Sequence, residues 1–252
     1  MPLPPPSSTS SAVPLLALDT STERLAIALQ AGGRGWVANG EGGAAASAAL
    51  LPAVEALLAE AGCALKSLAA IAFGRGPGAF TGLRTSCAVA QGLAFGLGVP
   101  VLPIDSLLIV AEQACRAQAV PEPVLDVGVV MDARMGEVYA GRYIRRDGRW
   151  AEVQAPGLWD PAALDAAWAA SPPAISAGSA LAVLGDALRA ACPVGGRRVV
   201  DDDRATALGA LALQAWAAGA AVDAARALPL YLRDKVAQTT AERQAARAAM
   251  AT

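Results

Sequence analysis

The sequence predicts an α/β fold built from two copies of one βββαβαβα unit. Residues 13–19 and 124–132 are both short apolar runs ending in an acid, Asp19 and Asp132, and each leads into a strand-like stretch, a glycine turn and a tryptophan-bearing third strand. Behind each such meander, helical and strand-like segments alternate in the same order. The 252 residues are 55% hydrophobic but only 4% aromatic, which suits a core of Leu, Val, Ile and Ala in close-packed layers.

In the first unit the strand at 13–19 is followed by an alternating strand at 24–30, and Gly32-Gly33 turns the chain into a third strand through Trp36 and Val37. A helical pattern at 44–61, an apolar strand at 68–73 that runs into glycines, a helix at 81–97 and a strand at 99–104 come next, and Ser106 is placed to cap a helix toward Gln118. After Pro121-Glu122-Pro123 the pattern restarts with strands at 124–132 and 137–145, and Asp147-Gly148 turns the chain into a third strand through Trp150. Helix 161–170, strand 174–177, helix 180–191, strand 197–200 and a helix from Arg204 complete the second unit. Asp19 then corresponds to Asp132, Gly33 to Gly148 and Gly74 to Gly178. A repeat of roughly a hundred residues is too long for a solenoid unit and fits a duplicated α/β domain. The halves are expected at 13–118 and 119–236, with the last helix free to pack back on the first half. Residues 1–12 read as a disordered Pro/Ser leader and 237–252 as a flexible tail.

Composition excludes several chemistries. With His 0 there is no Ser-His-Asp or Cys-His triad, no two-histidine zinc helix and no imidazole acid or base. Twenty Lys and Arg against 22 Asp and Glu leave a net charge of -2, so binding many phosphates needs a partner's help. Cys63, Cys87, Cys115 and Cys192 are scattered without a C-x-x-C pair and read as free thiols rather than as a metal site. The longest near-apolar stretch, 205–222, is mostly Ala and Gly and reads as a buried helix rather than a membrane span. A cytoplasmic location is the expectation.

Three features could carry function. The run Gly74-Arg75-Gly76-Pro77-Gly78-Ala79-Phe80-Thr81-Gly82 joins a strand to a helix and is either an anion cradle or a tight turn whose Arg75 and Arg84 pair with acids or a partner. It is not a Walker loop, since no Gly-Lys-Ser/Thr follows. Asp19 and Asp132 either face each other across a cleft, able to hold Mg²⁺ or act as base, or cap their own turns. Ala88, Gly92 and Gly96 recur every fourth residue and form a small-residue stripe for another helix of this chain or of another subunit.

The runs Leu16-Ala17-Leu18-Asp19-Thr20-Ser21-Thr22, Gly74 through Arg84, Ala90-Gln91-Gly92-Leu93-Ala94, Met131-Asp132-Ala133-Arg134-Met135-Gly136-Glu137-Val138-Tyr139 and Tyr231-Leu232-Arg233 resemble the bacterial TsaB (YeaZ) family. The resemblance implies the actin-like ATPase, ribonuclease H-like fold in two related halves. It implies a scaffold role in making N6-threonylcarbamoyladenosine at tRNA position 37. There a TsaD-type subunit performs the transfer, a TsaE-type ATPase joins the complex, and a TsaC-type synthase supplies the threonylcarbamoyl adenylate. The resemblance places the partner interface on the helices at 44–61 and 81–97, at Leu83, Arg84, Cys87, Ala88, Gln91, Gly92, Phe95 and Gly96. It makes Asp19, Gly74, Arg75, Gly76, Gly78, Phe80, Thr81, Gly82, Asp132 and Arg134 a candidate nucleotide or complex loop. No intrinsic cofactor, metal ligand or catalytic residue is expected, with ATP or ADP confined to the junction of the complex, and a homodimer is expected when the partner is absent. The alternative is an independent nucleotide-dependent enzyme working through Asp19 and Asp132.

Overall fold

A computed structural model describes residues 13–118, 122–192, 197–199 and 203–233. The expected leader and tail lie outside these residues. β1 (Leu15–Asp19), β2 (Arg24–Ala31), β3 (Arg34–Glu41), β4 (Ala70–Gly76) and β5 (Val101–Asp105) form one five-stranded sheet in the order β3-β2-β1-β4-β5. β6 (Val124–Asp132), β7 (Val138–Arg146), β8 (Arg149–Trp159), β9 (Ile175–Ala177) and β10 (Arg197–Val199) form the second, in the order β10-β9-β6-β7-β8. Counted from its own first strand, each sheet runs third, second, first, fourth, fifth, with an antiparallel meander and parallel crossovers. The duplicated mixed α/β sheet of the actin-like, ribonuclease H-like fold is therefore present.

Both hairpins turn as their residues dictate. Gly32 and Gly33 have φ of 55° and 76°, and Asp147 and Gly148 have 48° and 77°, the left-handed pair that a two-residue turn between twisted strands requires.

The helices are α1 (Ala46–Ala61), α2 (Phe80–Leu97), α3 (Ser106–Arg116), α4 (Pro161–Ala169), α5 (Ala180–Leu184) and α6 (Arg204–Ala217). One face of the first sheet, with Leu16, Leu18, Ile27 and Phe73, packs on Leu50, Val54 and Leu58 of α1 and Cys87, Ala90 and Ala94 of α2. Its other face, with Leu15, Ala17, Ala28 and Leu102, packs on Ile109 of α3 and Leu208, Leu211 and Ala212 of α6. α3 also turns Leu107, Val110, Ala111 and Ala114 against Leu125, Val127, Val129 and Tyr143 of the second sheet, so it lies between the two. The outer face of that sheet, with Val130, Val138 and Ala140, is covered by Leu164, Trp168, Ala180 and Leu188. α6 therefore belongs to the second half in sequence and to the first sheet in packing.

Three elements differ from expectation. Ser106 is the first residue of α3 rather than its cap, and its hydroxyl instead accepts from the Gly76 amide at 3.0 Å and donates to Asp19 at 3.3 Å. The helix expected over 180–191 ends at Leu184 and gives way to a 3-10 turn, Gly185–Leu188, because Gly185 has no side chain to hold the α register. The third strand of the second meander continues to Trp159. Within the stretch 205–222, α6 buries Ala205, Ala207, Leu208, Leu211 and Ala212, and among the described residues no helix is long and apolar enough to cross a membrane.

Candidate functional site

β1 ends in a fully buried acid. Asp19 has no exposure and forms an ion pair with the Arg204 guanidinium, itself 3% exposed, from the first turn of α6. The Ser21 hydroxyl donates to one Asp19 oxygen at 3.0 Å, and Arg204 Nη2 donates to Ser21 Oγ at 3.0 Å and to the Ser106 carbonyl at 3.1 Å. A buried carboxylate needs this compensation, since desolvation otherwise costs several kcal/mol. Asp19 thus faces Arg204 rather than Asp132, and the two acids do not meet across a cleft. Arg204 was not among the sequence candidates. Its one signal was a lone cation opening an alanine-rich helix 185 residues away.

The glycine run packs on the residues that follow Asp19. A Cβ at Gly74 would lie 1.8 Å from Asp19 Oδ1, one at Gly78 2.3 Å from the Ser21 carbonyl oxygen, and one at Gly82 1.8 Å from the Thr20 carbonyl oxygen. The Ala79 amide donates to the Ser21 carbonyl at 2.7 Å and the Thr20 hydroxyl to the Gly82 carbonyl at 2.6 Å. Close backbone approach accounts for Gly74, Gly78 and Gly82. Arg75 pairs with Asp105 at 2.5 Å, as the tight-turn reading required.

A cleft of about 660 Å³ lies between the halves. It is walled by the turn after β1, Pro77, Gly78 and Ala79 with the start of α2, residues 131–135 of the second half and residues 230–233. Asp132 lines it and Asp19 does not. The Asp132 carboxylate accepts from the Arg134 amide at 2.8 Å and meets the Arg134 guanidinium at 3.4 Å, so it caps its own turn. Among the described residues no group of three His, Cys, Asp or Glu could hold a metal ion. Across the cleft mouth Arg134 reaches Glu23 at 3.6 Å.

The partner-interface candidates divide between two faces of α2. Leu83 and Cys87 point into the core, and burial pushes the Cys87 thiol up. Arg84, Ala88, Gly92, Phe95 and Gly96 face outward, with Phe95 81% exposed, and Gln91 is half-buried. A Cβ at Gly92 or Gly96 meets nothing within 4 Å. No helix of the described chain packs on this stripe. At the helix start Thr81 is exposed, and the Arg84 guanidinium lies 4.0 Å from the centroid of the Phe80 ring. α1 adds exposed Leu51 and Pro52.

A family model described as TsaD, tRNA N6-adenosine threonylcarbamoyltransferase, matches residues 43–194. The solved structure of YeaZ from Pseudomonas aeruginosa superposes with a TM-score of 0.74 at 38% identity, covering 87% of this chain and 99% of that one. The chain belongs to the TsaB/YeaZ family. Among curated TsaB/YeaZ relatives, the tRNA threonylcarbamoyladenosine biosynthesis protein TsaB of Haemophilus influenzae is 41% identical over 135 residues, 54% of this chain and 56% of the relative. The Escherichia coli protein of the same description is 36% identical over 137 residues, 54% and 58% of the two chains. The chain thus spans somewhat over half the length of these curated TsaB relatives.

Proposed function

We propose that this chain is a non-catalytic scaffold in the synthesis of N6-threonylcarbamoyladenosine on tRNA. It docks a TsaD-type transferase through the outward face of α2 and the neighbouring face of α1. The observation that carries the reading is the open stripe of Ala88, Gly92 and Gly96 beside exposed Phe95. Interior glycines cost a helix roughly 1 kcal/mol each relative to Ala, and nothing inside the described chain packs where they stand. A helix from another subunit can approach such a surface closely and bury Phe95 and Leu51 as it does so.

The way Asp19 and the glycine run are held also supports the scaffold reading. Asp19 is paired with Arg204, and Gly74, Gly78 and Gly82 pack against Asp19, Ser21 and Thr20. No intrinsic nucleotide or metal is part of this reading. In this reading ATP or ADP sits at the junction with a TsaE-type ATPase. The tRNA is held by surfaces that the partners complete, consistent with a net charge of -2. Without its partner the same apolar stripe pairs with a second copy of the chain, and the assembly works in the cytoplasm.

Substituting Gly92→Leu places a branched side chain on the open stripe. It is expected to abolish co-elution with the TsaD-type chain while the monomer keeps its circular dichroism and melts no lower than wild type. Co-elution of the variant rules out this docking face. Depleting the protein is expected to remove N6-threonylcarbamoyladenosine from tRNA by mass spectrometry, and unchanged levels reject the role. Magnesium-dependent ATP turnover by the pure chain, lost on Asp19→Ala, would establish the independent enzyme instead.

A further inference from the structure

Residues 224–231 run antiparallel to α2 and are laced to it turn by turn. Gln91 Nε2 donates to the Ala224 carbonyl at 3.1 Å, Cys87 Sγ to the Ala227 carbonyl at 3.2 Å, and Arg84 Nε to the Tyr231 hydroxyl at 3.2 Å. Tyr231 also packs on Phe80, ring centroids 5.1 Å apart. At about 100° per residue, Gln91, Cys87, Arg84 and Phe80 fall on one narrow face of the helix, and Ala88 and Phe95 lie about 40–60° to its side. The segment therefore borders the exposed stripe. Leu228, 68% exposed, and Tyr231 stand on that border.

Past this border the chain crosses to the second half. The Leu230 amide donates to the Arg75 carbonyl at 2.6 Å. The Arg233 guanidinium then pairs with the Glu137 carboxylate, donates to the Arg134 carbonyl at 3.4 Å and rests 3.1 Å from Met135 Sδ. The loop it grips holds three consecutive left-handed residues, Arg134, Met135 and Gly136, with φ of 64°, 58° and 76°. Two of these carry side chains, and such a conformation persists only where its surroundings hold it. Arg233 is what holds it from the side of α2.

We infer that residues 228–233 couple the docking face of α2 to the cleft loop at 132–137. A partner seated on α2 covers Leu228 and Tyr231 and fixes the segment, and the Arg233–Glu137 tie passes that immobilisation to the loop. Docking then orders a wall of the cleft that begins 35 residues past the end of α2 in sequence, from Leu97 to Asp132, with no direct contact between partner and loop. The inference rests on α2 being the docking face.

Amide hydrogen exchange of the peptide covering 132–138, followed in the free chain and in complex with the TsaD-type chain, tests it. Complex formation is expected to slow exchange in the wild-type loop about tenfold. In Arg233→Ala, and independently in Glu137→Gln, the complex is expected to form as before, because both residues lie on the cleft side. The slowing is expected to fall below about twofold in each. A wild-type complex without slowing, or variants that slow as much as wild type, overturns the coupling and leaves the docking face standing. Failure of the wild-type chain to bind removes both.

Discussion

Replacing Arg204 by Met removes the countercharge from a carboxylate that no water reaches. Asp19 has 0% exposure and Arg204 3%, so neither charge recovers solvation in the folded state. Among the described residues, Asp19 then keeps the hydroxyls of Ser21 at 3.0 Å and Ser106 at 3.3 Å, which are neutral donors. Breaking a buried pair from one side costs about 3–5 kcal/mol. For a domain of this size each kcal/mol is about 2–4 °C, so the melting temperature falls by roughly 6–20 °C. Urea unfolding followed by tryptophan fluorescence reads this as a lower midpoint at unchanged slope. The double variant Asp19→Asn with Arg204→Met is expected to recover most of the loss, because an uncharged pair leaves no isolated ion in the core. A single variant within about 1 kcal/mol of wild type would refute the reasoning, since the pair would then behave as a surface bridge. The same site separates scaffold from enzyme. Asp19→Asn, assayed at a temperature where it is folded, is expected to leave tRNA modification intact.

The glycines of α2 are expected to diverge under one substitution. Gly82→Ala drives a methyl onto the Thr20 carbonyl oxygen and costs about 3 kcal/mol or more, whereas Gly92→Ala meets nothing and stabilises the monomer by up to about 1 kcal/mol; thermal melts of the pair decide this. Burial, reinforced by the charges of Asp105 and Glu152, pushes the Tyr143 hydroxyl far above the usual tyrosine range. A raised folded value means the stability it confers is complete below pH about 10 and is lost as pH rises beyond, so Tyr143→Phe is expected to move alkaline unfolding to higher pH. At neutral pH an alkylating reagent is expected to label half-buried Cys63 well before Cys87, which is buried with its thiol pushed up and reacts only as the chain unfolds; peptide mass spectrometry reads the order.

Local signals carried much of the fold into view. Gly32-Gly33 and Asp147-Gly148 marked both hairpins because a two-residue turn needs positive φ, and the acids ending residues 13–19 and 124–132 exposed the duplication. What stayed hidden was set by distant partners. Ser106 has the chemistry of a cap, yet Asp19 and Gly76 are better placed to use its hydroxyl, and no local pattern shows that. The glycine run looked like a cradle because glycine serves phosphates and tight packing alike, and the two differ only in what lies opposite. The stripe on α2 was visible as a period of four, but Leu83 and Cys87 were grouped with it although they sit on the buried side of the same helix. Arg204 and the lacing of 224–231 along α2 join residues more than 130 positions apart, beyond any periodicity.

The return of α6 onto the first sheet has a consequence for how the chain is made. The surface formed by Leu15, Ala17, Ala28 and Leu102 has Ile109 of α3 early but waits for Leu208, Leu211 and Ala212, so on a ribosome this face stays only partly covered until the second sheet has been synthesised. Its buried acid likewise waits 185 residues for its cation. A fragment ending at residue 118, which has α3 but not α6 on this face, is expected to aggregate rather than form a domain. The first sheet is therefore completed late in synthesis, after the second has been made.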